Sequence, residues 1–527
     1  MEPVFLIFLS SIVVFSLIKL GRIGRRPKGC PPGPPTLPIL GNLHQIPKKD
    51  AHVQFKKWAE EYGPVYSLVL GTTVNIVLSS DVAVKDLLDK RSGIYSSRPE
   101  AYISSLASDG RRMVLMEYGN KWRLIRKFFH AFLQLKAVKA YVPYIELESA
   151  SIMVDLLDEP HLVFDHIRRY TNSIATQMVY GFRTSKVDDP QLLSMYDTIE
   201  KWGEITGAGA AALLDVFPVL RALPPAIRPL YQYALSIRKA SLDLAWELWQ
   251  DSCFCVGLAD AQAKEPDLEV DDMDLAMVAS TGLEAASDTT ANTLAGFIQG
   301  IFLYPDAQRA AQAAIDRVCG DRYPTMADMD HPDAQYIRAC VKETLRWMPT
   351  AVLGVPHAVT RDDEYMGYKI PKGASVVLNI WGIHRDEARY RNPSAFDPSR
   401  YMDDLTTSSE SAQSPDPTKR DHYSFGAGRR ICEGMHAVDR TMFLFIARLM
   451  WAFDLSPAKD ADGQDIIPKQ DDLQGNFLRQ PRRYPLKITP RSDLRAATVR
   501  KAWAECQKLL NDDKQWKETP EGMPFTL

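Results

Sequence analysis

A long proline-free apolar segment constrains the fold of this chain more than any other feature. It covers residues 273–303 and ends just before Tyr304 and Pro305. An uninterrupted run of this length predicts a single buried helix. The chain can surround such a helix, because its 527 residues are 46% hydrophobic and 24% charged, which is enough for a substantial core. The net charge of −3 gives no reason to expect a nucleic-acid partner.

The segment FGAGRRICEG, residues 425–434, places Cys432 on a glycine-rich loop just before another apolar stretch. Glycines at 426, 428 and 434 are expected to let peptide N–H groups approach the sulfur. A helix through residues 442–445 would direct its positive end at the same atom and lower the pKa of the thiol. The pattern therefore predicts a thiolate that can bind a metal.

Two other interpretations of Cys432 are open at this point, a buried free cysteine and one ligand of a zinc site. Zinc requires more ligands, and no CxxC or HxxxH pattern accompanies Cys432. Two other cysteines, Cys253 and Cys255, are one residue apart in a stretch with helical character.

Two motifs place charged or polar side chains on one face of a helix. In KETLRW, Glu343 and Arg346 are three residues apart, so they can form a salt bridge and hold a third partner. In YGNKWRLIRK, Trp122 and Arg126 are four residues apart and present an indole N–H and a guanidinium together. Taken alone, each pattern is also typical of a solvated helix face.

The predicted long helix contains AASDTT at residues 285–290. A carboxylate in the middle of an apolar helix is costly, and beside a hydroxyl it offers a hydrogen-bonded path for protons. Asp288 and Thr289 are therefore candidate catalytic residues. The alternative is an acid that caps a local turn or faces solvent.

In this order and at these distances, the motifs resemble those of the cytochrome P-450 family of haem-thiolate monooxygenases, whose haem loop FGxGxRxCxG is matched at every fixed position. The resemblance implies haem b, with Cys432 as the axial ligand of the iron. It implies that haem propionates are bound by Arg430, Trp122, Arg126 and His357. It also implies that Arg400, in PSRY, is the third partner of Glu343 and Arg346, with Tyr401 where the family usually has phenylalanine.

The same resemblance implies that Asp288 and Thr289 relay protons to dioxygen, with Ala286 at the position where the family usually has glycine. Helical steps and the resemblance together indicate the residues that would line a substrate pocket. These are Val278, Thr281, Gly282 and Ala285 on the long helix, the loop 103–113, residues 352–355 including Val352, and Phe477 with Leu478.

The fold implied is mainly α with small β-sheets, built as a single large catalytic domain over residues 37–495. A membrane anchor at 1–21 and a basic, proline-rich hinge at 22–36 would precede it. A charged tail at 496–527, with one amphipathic helix around residues 496–510, would follow it. The polar segment 406–419 and the tail are expected to be solvated.

The uncharged apolar run at residues 4–18 predicts a single-pass membrane helix. A cleaved signal peptide is disfavoured by Glu2 ahead of the run, by the basic cluster at 19–28 behind it, and by the lack of a small-residue cleavage site. The basic cluster predicts that the catalytic domain faces the cytoplasm, the layout of endoplasmic-reticulum members of the family. In that compartment the seven cysteines imply no disulfide framework.

The implied activity is oxidation of a small apolar substrate with O2 and with electrons from NADPH, delivered by a separate NADPH-cytochrome P-450 reductase. Lys121, Lys127 and Arg429 are candidate contacts for that acidic flavoprotein. Membrane lipid is the other expected partner, and the catalytic unit is expected to be a monomer. Stretches such as GYKIPKGASVVLNIWGIHRD resemble microsomal members from filamentous fungi, which predicts a secondary-metabolite intermediate as substrate.

Two alternatives are a haem-thiolate isomerase or dehydratase that works without O2, and a non-enzymatic haem-binding protein. The Asp288 and Thr289 pair argues against both, because neither requires proton delivery to dioxygen.

Overall fold

The predicted buried helix forms over Asp272–Leu303 and is called the long helix below. Asp271 caps its first turn by accepting a hydrogen bond from the backbone N–H of Asp274 over 2.6 Å. It ends at Tyr304, because the Pro305 that follows cannot continue the backbone hydrogen bonds. The computed structural model describes residues 5, 21–207, 209–249 and 270–523.

Helices dominate the rest of the fold, as predicted. Besides the long helix, the described residues form the α-helices Ala51–Tyr62, Asp81–Val84, Ser92–Tyr95, Tyr102–Leu106, Asn120–Leu133, Leu135–Ala140, Val142–Asp158, Val163–Tyr180, Pro190–Gly207, Gly209–Val216, Tyr231–Trp249, Pro305–Cys319, Gln335–Trp347, Ile380–His384, Ser408–Ala412, Met435–Ala452 and Asp493–Gln507. The long helix packs against Val163–Tyr180, Tyr231–Trp249 and Gln335–Trp347. This packing on several sides explains why its sequence is apolar almost all round.

The strands form small sheets beside the helices. They are β1 Val65–Leu70, β2 Thr73–Leu78, β3 His357–Ala358, β4 Asp363–Tyr365, β5 Tyr368–Ile370, β6 Ser375–Leu378, β7 Phe453–Pro457, β8 Leu473–Gln474, β9 Gln480–Pro481 and β10 Leu486–Pro490. The largest sheet has four strands in the order β1-β2-β6-β3, with β2 and β6 parallel and the other neighbours antiparallel. The remaining sheets pair β7 with β10, β4 with β5, and β8 with β9.

The core is centred on the helix that follows the cysteine loop. This helix, Met435–Ala452, is buried along most of its length, including the predicted residues 442–445. It belongs to the same hydrophobic cluster as the long helix and Gln335–Trp347. The cysteine loop is therefore anchored to the most deeply buried part of the molecule.

Of the two segments that were expected to be solvated, residues 406–419 are partly packed, whereas the tail is mostly exposed, with Val499 the buried residue of its helix. Within residues 406–419, the helix Ser408–Ala412 is buried, because Ser408 contacts His422 and the backbone N–H of Ser409 donates to Asp439 over 2.8 Å. The predicted tail helix exists as Asp493–Gln507, and the segment after it returns to the body of the protein. There the indole Nε1 of Trp516 donates to Gln177 over 2.6 Å.

The predicted membrane anchor at residues 1–21 lies almost wholly outside the described residues, as do Cys253 and Cys255. Within the described ranges, no helix combines the length and the apolar character that crossing a bilayer requires.

Candidate functional site

Two cavities that share lining residues lie between the long helix and the cysteine loop. The inner cavity, about 270 Å³, is lined by Trp122, Arg126, Arg430 and other residues. The outer cavity, about 580 Å³, extends toward Phe477. Thr289 and Cys432 line both cavities, so the predicted catalytic helix and the predicted cysteine ligand face the same space.

The cysteine loop is bent at Gly426 and Gly428, whose φ angles are +73° and +65°. At Gly428 a Cβ atom would lie 2.0 Å from the carbonyl oxygen of Leu88, so no larger residue fits. The backbone N–H of Gly428 also donates to Asp89 over 2.7 Å. The loop is thereby pinned to a part of the chain more than 300 residues away.

The thiol of Cys432 only partly matches its predicted electrostatics. Backbone N–H groups of Gly434 and Met435 do interact with the sulfur, but burial outweighs them and raises the pKa of the thiol. Gly434 has a φ of −77° and would tolerate a side chain, so the third glycine is not required by the turn. The prediction of a lowered thiol pKa was therefore wrong for the protein alone. A cation at the sulfur would be needed to favour the thiolate.

Trp122 and Arg126 lie on the helix Asn120–Leu133 and both line the inner cavity, as predicted. The indole Nε1 of Trp122 is buried, and none of the described residues accepts a hydrogen bond from it. Arg126 is engaged already, since it forms an ion pair with Glu433 and donates to the carbonyl of Ile431.

Arg430 and Arg98 form a cationic wall of the inner cavity that lacks carboxylate partners in the described part of the chain. Arg430 donates to the carbonyls of Ser96 and Met116 over 2.8 and 2.7 Å and stacks 4.1 Å from the centre of the Trp122 ring. Arg98 donates to the carbonyls of Val114, Val355 and Pro356. Burial lowers the pKa of each guanidinium to about 9, so both remain charged near neutral pH.

Arg98 was missed by the sequence analysis. It lies in the SSRP stretch, where a single arginine before a proline carries no periodic signal. Its position on the cavity wall depends on the chain segment around residues 355–356, which is distant in sequence.

His357 is not among the described residues that line the inner cavity, and its role as a propionate donor stays a prediction. Its Nδ1 lies 2.7 Å from the carbonyl oxygen of Tyr95, which can only accept, so Nδ1 carries the hydrogen. The other nitrogen could donate only in the imidazolium form. Burial, together with the charges of Arg98 and Arg430, lowers the pKa of His357 to about 3. Without an anion in the cavity, the charged donors on this wall are Arg98, Arg126 and Arg430.

The pair formed by Glu343 and Arg346 has the predicted geometry. Both side chains are fully buried, and two N–O contacts of 2.7 Å join them. Arg400 is the third partner, with its Nε 3.3 Å from Glu343. Arg346 also donates to the carbonyls of His384 and Pro393, each over 2.8 Å. The cluster ties the helix Gln335–Trp347 to the segment that leads into the cysteine loop.

Asp288 and Thr289 face the cavities but are not hydrogen-bonded to each other within the described residues. The hydroxyl of Thr289 donates to the carbonyl of Ala285 over 2.6 Å, which leaves its oxygen able to accept a bond from the cavity. Asp288 lines the outer cavity, and burial raises the pKa of its carboxyl to about 6 although Arg168 and Asn292 lower it. Ala286 lines the inner cavity, so its methyl group lies where the usual glycine would leave space.

The predicted substrate-pocket residues divide into two groups. Thr281, Gly282, Ala285, Phe477 and Leu478 line one or both cavities. Val278 and Val352 do not line either cavity in the described structure, because they are packed in hydrophobic clusters. Val278 is fully covered by the cluster that includes Phe129 of the neighbouring helix.

One ion pair in the outer cavity was not predicted. Arg112 and Glu284 both line this cavity and are bonded to each other through two N–O contacts. Arg112 lies in the predicted loop 103–113, but its partner is 172 residues away in sequence. Pairing across such a distance leaves no local signal.

The predicted contacts for a reductase differ in their availability. Lys121 is 2.7 Å from Asp274 at the start of the long helix, and Arg429 donates to the hydroxyl of Tyr118. Lys127 is exposed on the helix Asn120–Leu133.

A zinc site is not supported, because no group of three or more His, Cys, Asp or Glu side chains in the described ranges is arranged to hold a metal ion. The buried indole N–H of Trp122 and the uncompensated charges of Arg98 and Arg430 instead fit the carboxylates of a large anionic cofactor. A cysteine sulfur on the same cavity wall completes the arrangement of a haem-thiolate protein.

The chain belongs to the cytochrome P450 family, since residues 31–488 match the family model for Cytochrome P450. It is 60% identical over 525 residues to Cytochrome P450 monooxygenase fsoB of Humicola fuscoatra, covering 98% of this chain and 97% of that protein. It is 46% identical over 530 residues to Cytochrome P450 monooxygenase virE of Hypocrea virens, covering 98% and 95%. Its identity to Cytochrome P450 monooxygenase fogE of Aspergillus ruber is 43% over 531 residues, covering 98% and 97%.

The protein is thus a cytochrome P450 monooxygenase, and family membership implies haem-thiolate chemistry, a reductase and a substrate.

Proposed function

We propose that the chain binds haem b with Cys432 as the axial ligand of the iron and oxidises an apolar intermediate of fungal secondary metabolism. The observation that carries this proposal is the meeting of Cys432, the unpaired arginines and Thr289 around one cavity. Three similar proteins are monooxygenases from fungi, which supports the biological setting.

The haem carboxylates would be held by Arg98, Arg430 and the indole N–H of Trp122. The two guanidiniums are already oriented by backbone carbonyls, so their charges are fixed in position before an anion arrives. Arg126 would contribute less, because Glu433 competes for its charge. Bound haem supplies the iron at which dioxygen is reduced and one oxygen atom is transferred to the substrate.

Thr289 and Asp288 would handle the protons that this reaction consumes. The hydroxyl of Thr289 lies at the boundary of the two cavities. Its hydrogen is donated to the carbonyl of Ala285, and its oxygen can accept a hydrogen bond from the cavity. Asp288, with a pKa of about 6, can both bind and release a proton near neutral pH. Because the two side chains are not in direct contact and the hydrogen of Thr289 is engaged, the oxygen of Thr289 would hold a water molecule that carries the proton from Asp288.

Glu343, Arg346 and Arg400 would serve as a structural clamp for the segment that precedes the cysteine loop. They are buried and bonded to backbone carbonyls on that segment, and none of them lines either cavity in the described structure.

Electrons would come from NADPH-cytochrome P-450 reductase, with Lys127 as the most available of the basic contacts. Residues 1–21 would anchor the chain in the endoplasmic reticulum membrane, with 22–36 as a hinge, the catalytic domain 37–495 in the cytoplasm and the tail 496–527 after it. The apolar run at 4–18 and the basic residues behind it support this placement.

The test is the carbon monoxide difference spectrum of dithionite-reduced membranes that contain the chain. A strongly red-shifted Soret band is expected for the wild type and should be absent from Cys432→Ala. Cys506→Ala is the matched control, because Cys506 lies on the tail helix Asp493–Gln507. A red-shifted band that survives in Cys432→Ala would contradict the assigned iron ligand.

A further inference from the structure

The outer cavity contains a buried ion pair, Arg112 with Glu284, that haem binding and proton delivery do not require. The two residues are 5% and 8% exposed, and both line this cavity. Glu284 lies on the long helix one turn before Asp288, and it does not line the inner cavity with Arg98 and Arg430 in the described structure. Burying two charges costs free energy even when they are paired. A role in binding would explain why the pair is kept in the cavity wall.

The hydrogen-bonding capacity of this pair is not exhausted. Both terminal nitrogens of Arg112 donate to Glu284, one of them over 3.1 Å. The Nε of Arg112 is buried, and no described residue accepts a bond from it. Each carboxylate oxygen of Glu284 can accept more than one hydrogen bond. The pair can therefore still donate to one ligand oxygen and accept from one ligand hydroxyl.

An aromatic wall adjoins the pair. The guanidinium of Arg112 lies 4.6 Å from the centre of the Trp202 ring, and Trp202 meets Phe477 edge to face at 5.6 Å. Both aromatic residues line the outer cavity. The indole Nε1 of Trp202 is another buried donor that has no acceptor among the described residues. This surface fits a largely apolar ligand with one polar end.

The net charge of the wall indicates what that polar end is. Glu284 neutralises Arg112 and Glu200 pairs with Arg168, whereas Asp288 and Glu204 on the same wall have no ion-pair partner among the described residues. A carboxylate on the ligand would be repelled by these acids. A neutral oxygen avoids this repulsion and can use the remaining donors and acceptors of the Arg112–Glu284 pair.

We propose that the Arg112–Glu284 pair binds a hydroxyl or carbonyl oxygen of an otherwise apolar substrate. The inference rests on the proposed function and narrows its substrate class to oxygen-bearing apolar molecules, as opposed to plain hydrocarbons and carboxylic acids. The enzyme that supplies this substrate must then belong to a class whose products carry a hydroxyl or carbonyl oxygen on their carbon skeleton.

The test uses three probes with one skeleton, heptylbenzene, 4-heptylphenol and 4-heptylbenzoate. Each is titrated into the haem-loaded full chain in detergent micelles, and binding is followed by the change in the Soret absorption. The wild type should bind 4-heptylphenol about tenfold or more tightly than heptylbenzene, and 4-heptylbenzoate no more tightly than heptylbenzene. The quantity compared is the affinity for 4-heptylphenol divided by the affinity for heptylbenzene. Comparing this affinity ratio between wild type and variants cancels the partition of the probes into micelles.

In Arg112→Met/Glu284→Leu the phenol and the hydrocarbon should bind within about twofold of each other. A second double variant, Arg112→Gln/Glu284→Gln, keeps a neutral hydrogen-bonded pair and should give an intermediate ratio. Arg111→Met is the matched control and should keep the wild-type ratio, because Arg111 pairs with Asp109 and Asp271.

The inference would be overturned by any of three results. The wild type could fail to bind 4-heptylphenol, or bind it no more tightly than heptylbenzene. Both double variants could also keep the affinity ratio of the wild type. A merely structural pair would change protein yield without changing the ratio. Failure of the proposed function is seen separately, as loss of the thiolate-ligated haem spectrum in the wild type.

Discussion

The inner and outer cavities both contain buried arginines, but two of those in the inner cavity, Arg98 and Arg430, have no acidic partner among the described residues. Arg98 and Arg430 are held by backbone carbonyls and have no carboxylate beside them in the described structure. Arg112 is bonded to Glu284 through two contacts. An uncompensated buried cation favours an anionic ligand, whereas a compensated one can offer only hydrogen bonds. The two cavities are therefore expected to select ligands of different charge.

The largest effect is expected from removing the unpaired charges. Arg98→Leu/Arg430→Leu should lower haem affinity about 100-fold or more, because two charge-assisted interactions with carboxylates are lost. The haem-free variant should be at least as stable as haem-free wild type, since two uncompensated buried cations are gone. Haem transfer to a scavenger protein and thermal unfolding of the haem-free chain measure the two quantities.

Arg429→Leu is the control for that experiment, because Arg429 is exposed next to Arg430. Unchanged haem affinity in the double variant would show that the cationic wall does not hold the cofactor.

A smaller effect is expected from giving the outer cavity an arginine without an acidic partner, as the inner cavity has. Glu284→Gln leaves Arg112 without its counterion, so affinity for 4-heptylbenzoate should rise about tenfold. Titration of the haem-loaded protein measures the change. Asp271→Asn, which removes a partner of Arg111 instead, should leave benzoate binding as it is. If benzoate affinity does not rise in Glu284→Gln, charge compensation is not what separates the two cavities.

At the boundary between the cavities, Thr289→Ala should raise the peroxide released per NADPH consumed several-fold. The variant removes an oxygen that both cavities share and with it one position for a proton. Stopped assays of NADPH and peroxide with the reconstituted reductase give the ratio. Thr293→Ala is the matched control, since its hydroxyl also donates to a helix carbonyl, that of Thr289, over 2.8 Å. Equal coupling in wild type and Thr289→Ala would contradict the role.

The smallest effect concerns the pH dependence of stability. Burial raises the pKa of Asp288 from its ordinary 3.8 to about 6, so the folded protein binds this proton more tightly than the unfolded chain does. The stability that this proton contributes is fully present below about pH 4 and is lost as the pH rises through about 6. Asp288→Asn avoids that loss.

The stability gained by Asp288→Asn should thus be about 1 kcal/mol larger at pH 8 than at pH 5. Thermal unfolding of the two proteins at both pH values measures it. Asp272→Asn, on an exposed position of the same helix, should show no such pH dependence. An equal gain at both pH values would mean that Asp288 is not held in its neutral form by burial.

The features that the sequence predicted correctly depend on short-range spacing. The long helix follows from an apolar run without proline, and the contact between Glu343 and Arg346 follows from a separation of three residues on a helix. The cysteine loop likewise has its bends at two of the three expected glycines.

What could not be predicted depends on contacts between distant segments. Val278 is on the expected side of the long helix, but periodicity does not tell which neighbouring helix covers that turn. The tautomer of His357 could not be predicted, because it is determined by the carbonyl of Tyr95. Arg98 and the partner of Arg112 gave no signal, since their surroundings come from segments far along the chain. The raised pKa of the Cys432 thiol has the same origin, burial by the assembled core.

The pinning of Gly428 against Leu88 and Asp89 has a consequence for biosynthesis. A ribosome that adds about 5 to 20 residues per second needs roughly 20 to 90 s to reach Cys432 after it starts. During that time Arg98 and Trp122 have been made, but the opposite wall of their cavity has not. Haem can therefore be enclosed only by a nearly finished polypeptide. A chain truncated before residue 425 would contain the arginines that bind haem but not the complete pocket that encloses it.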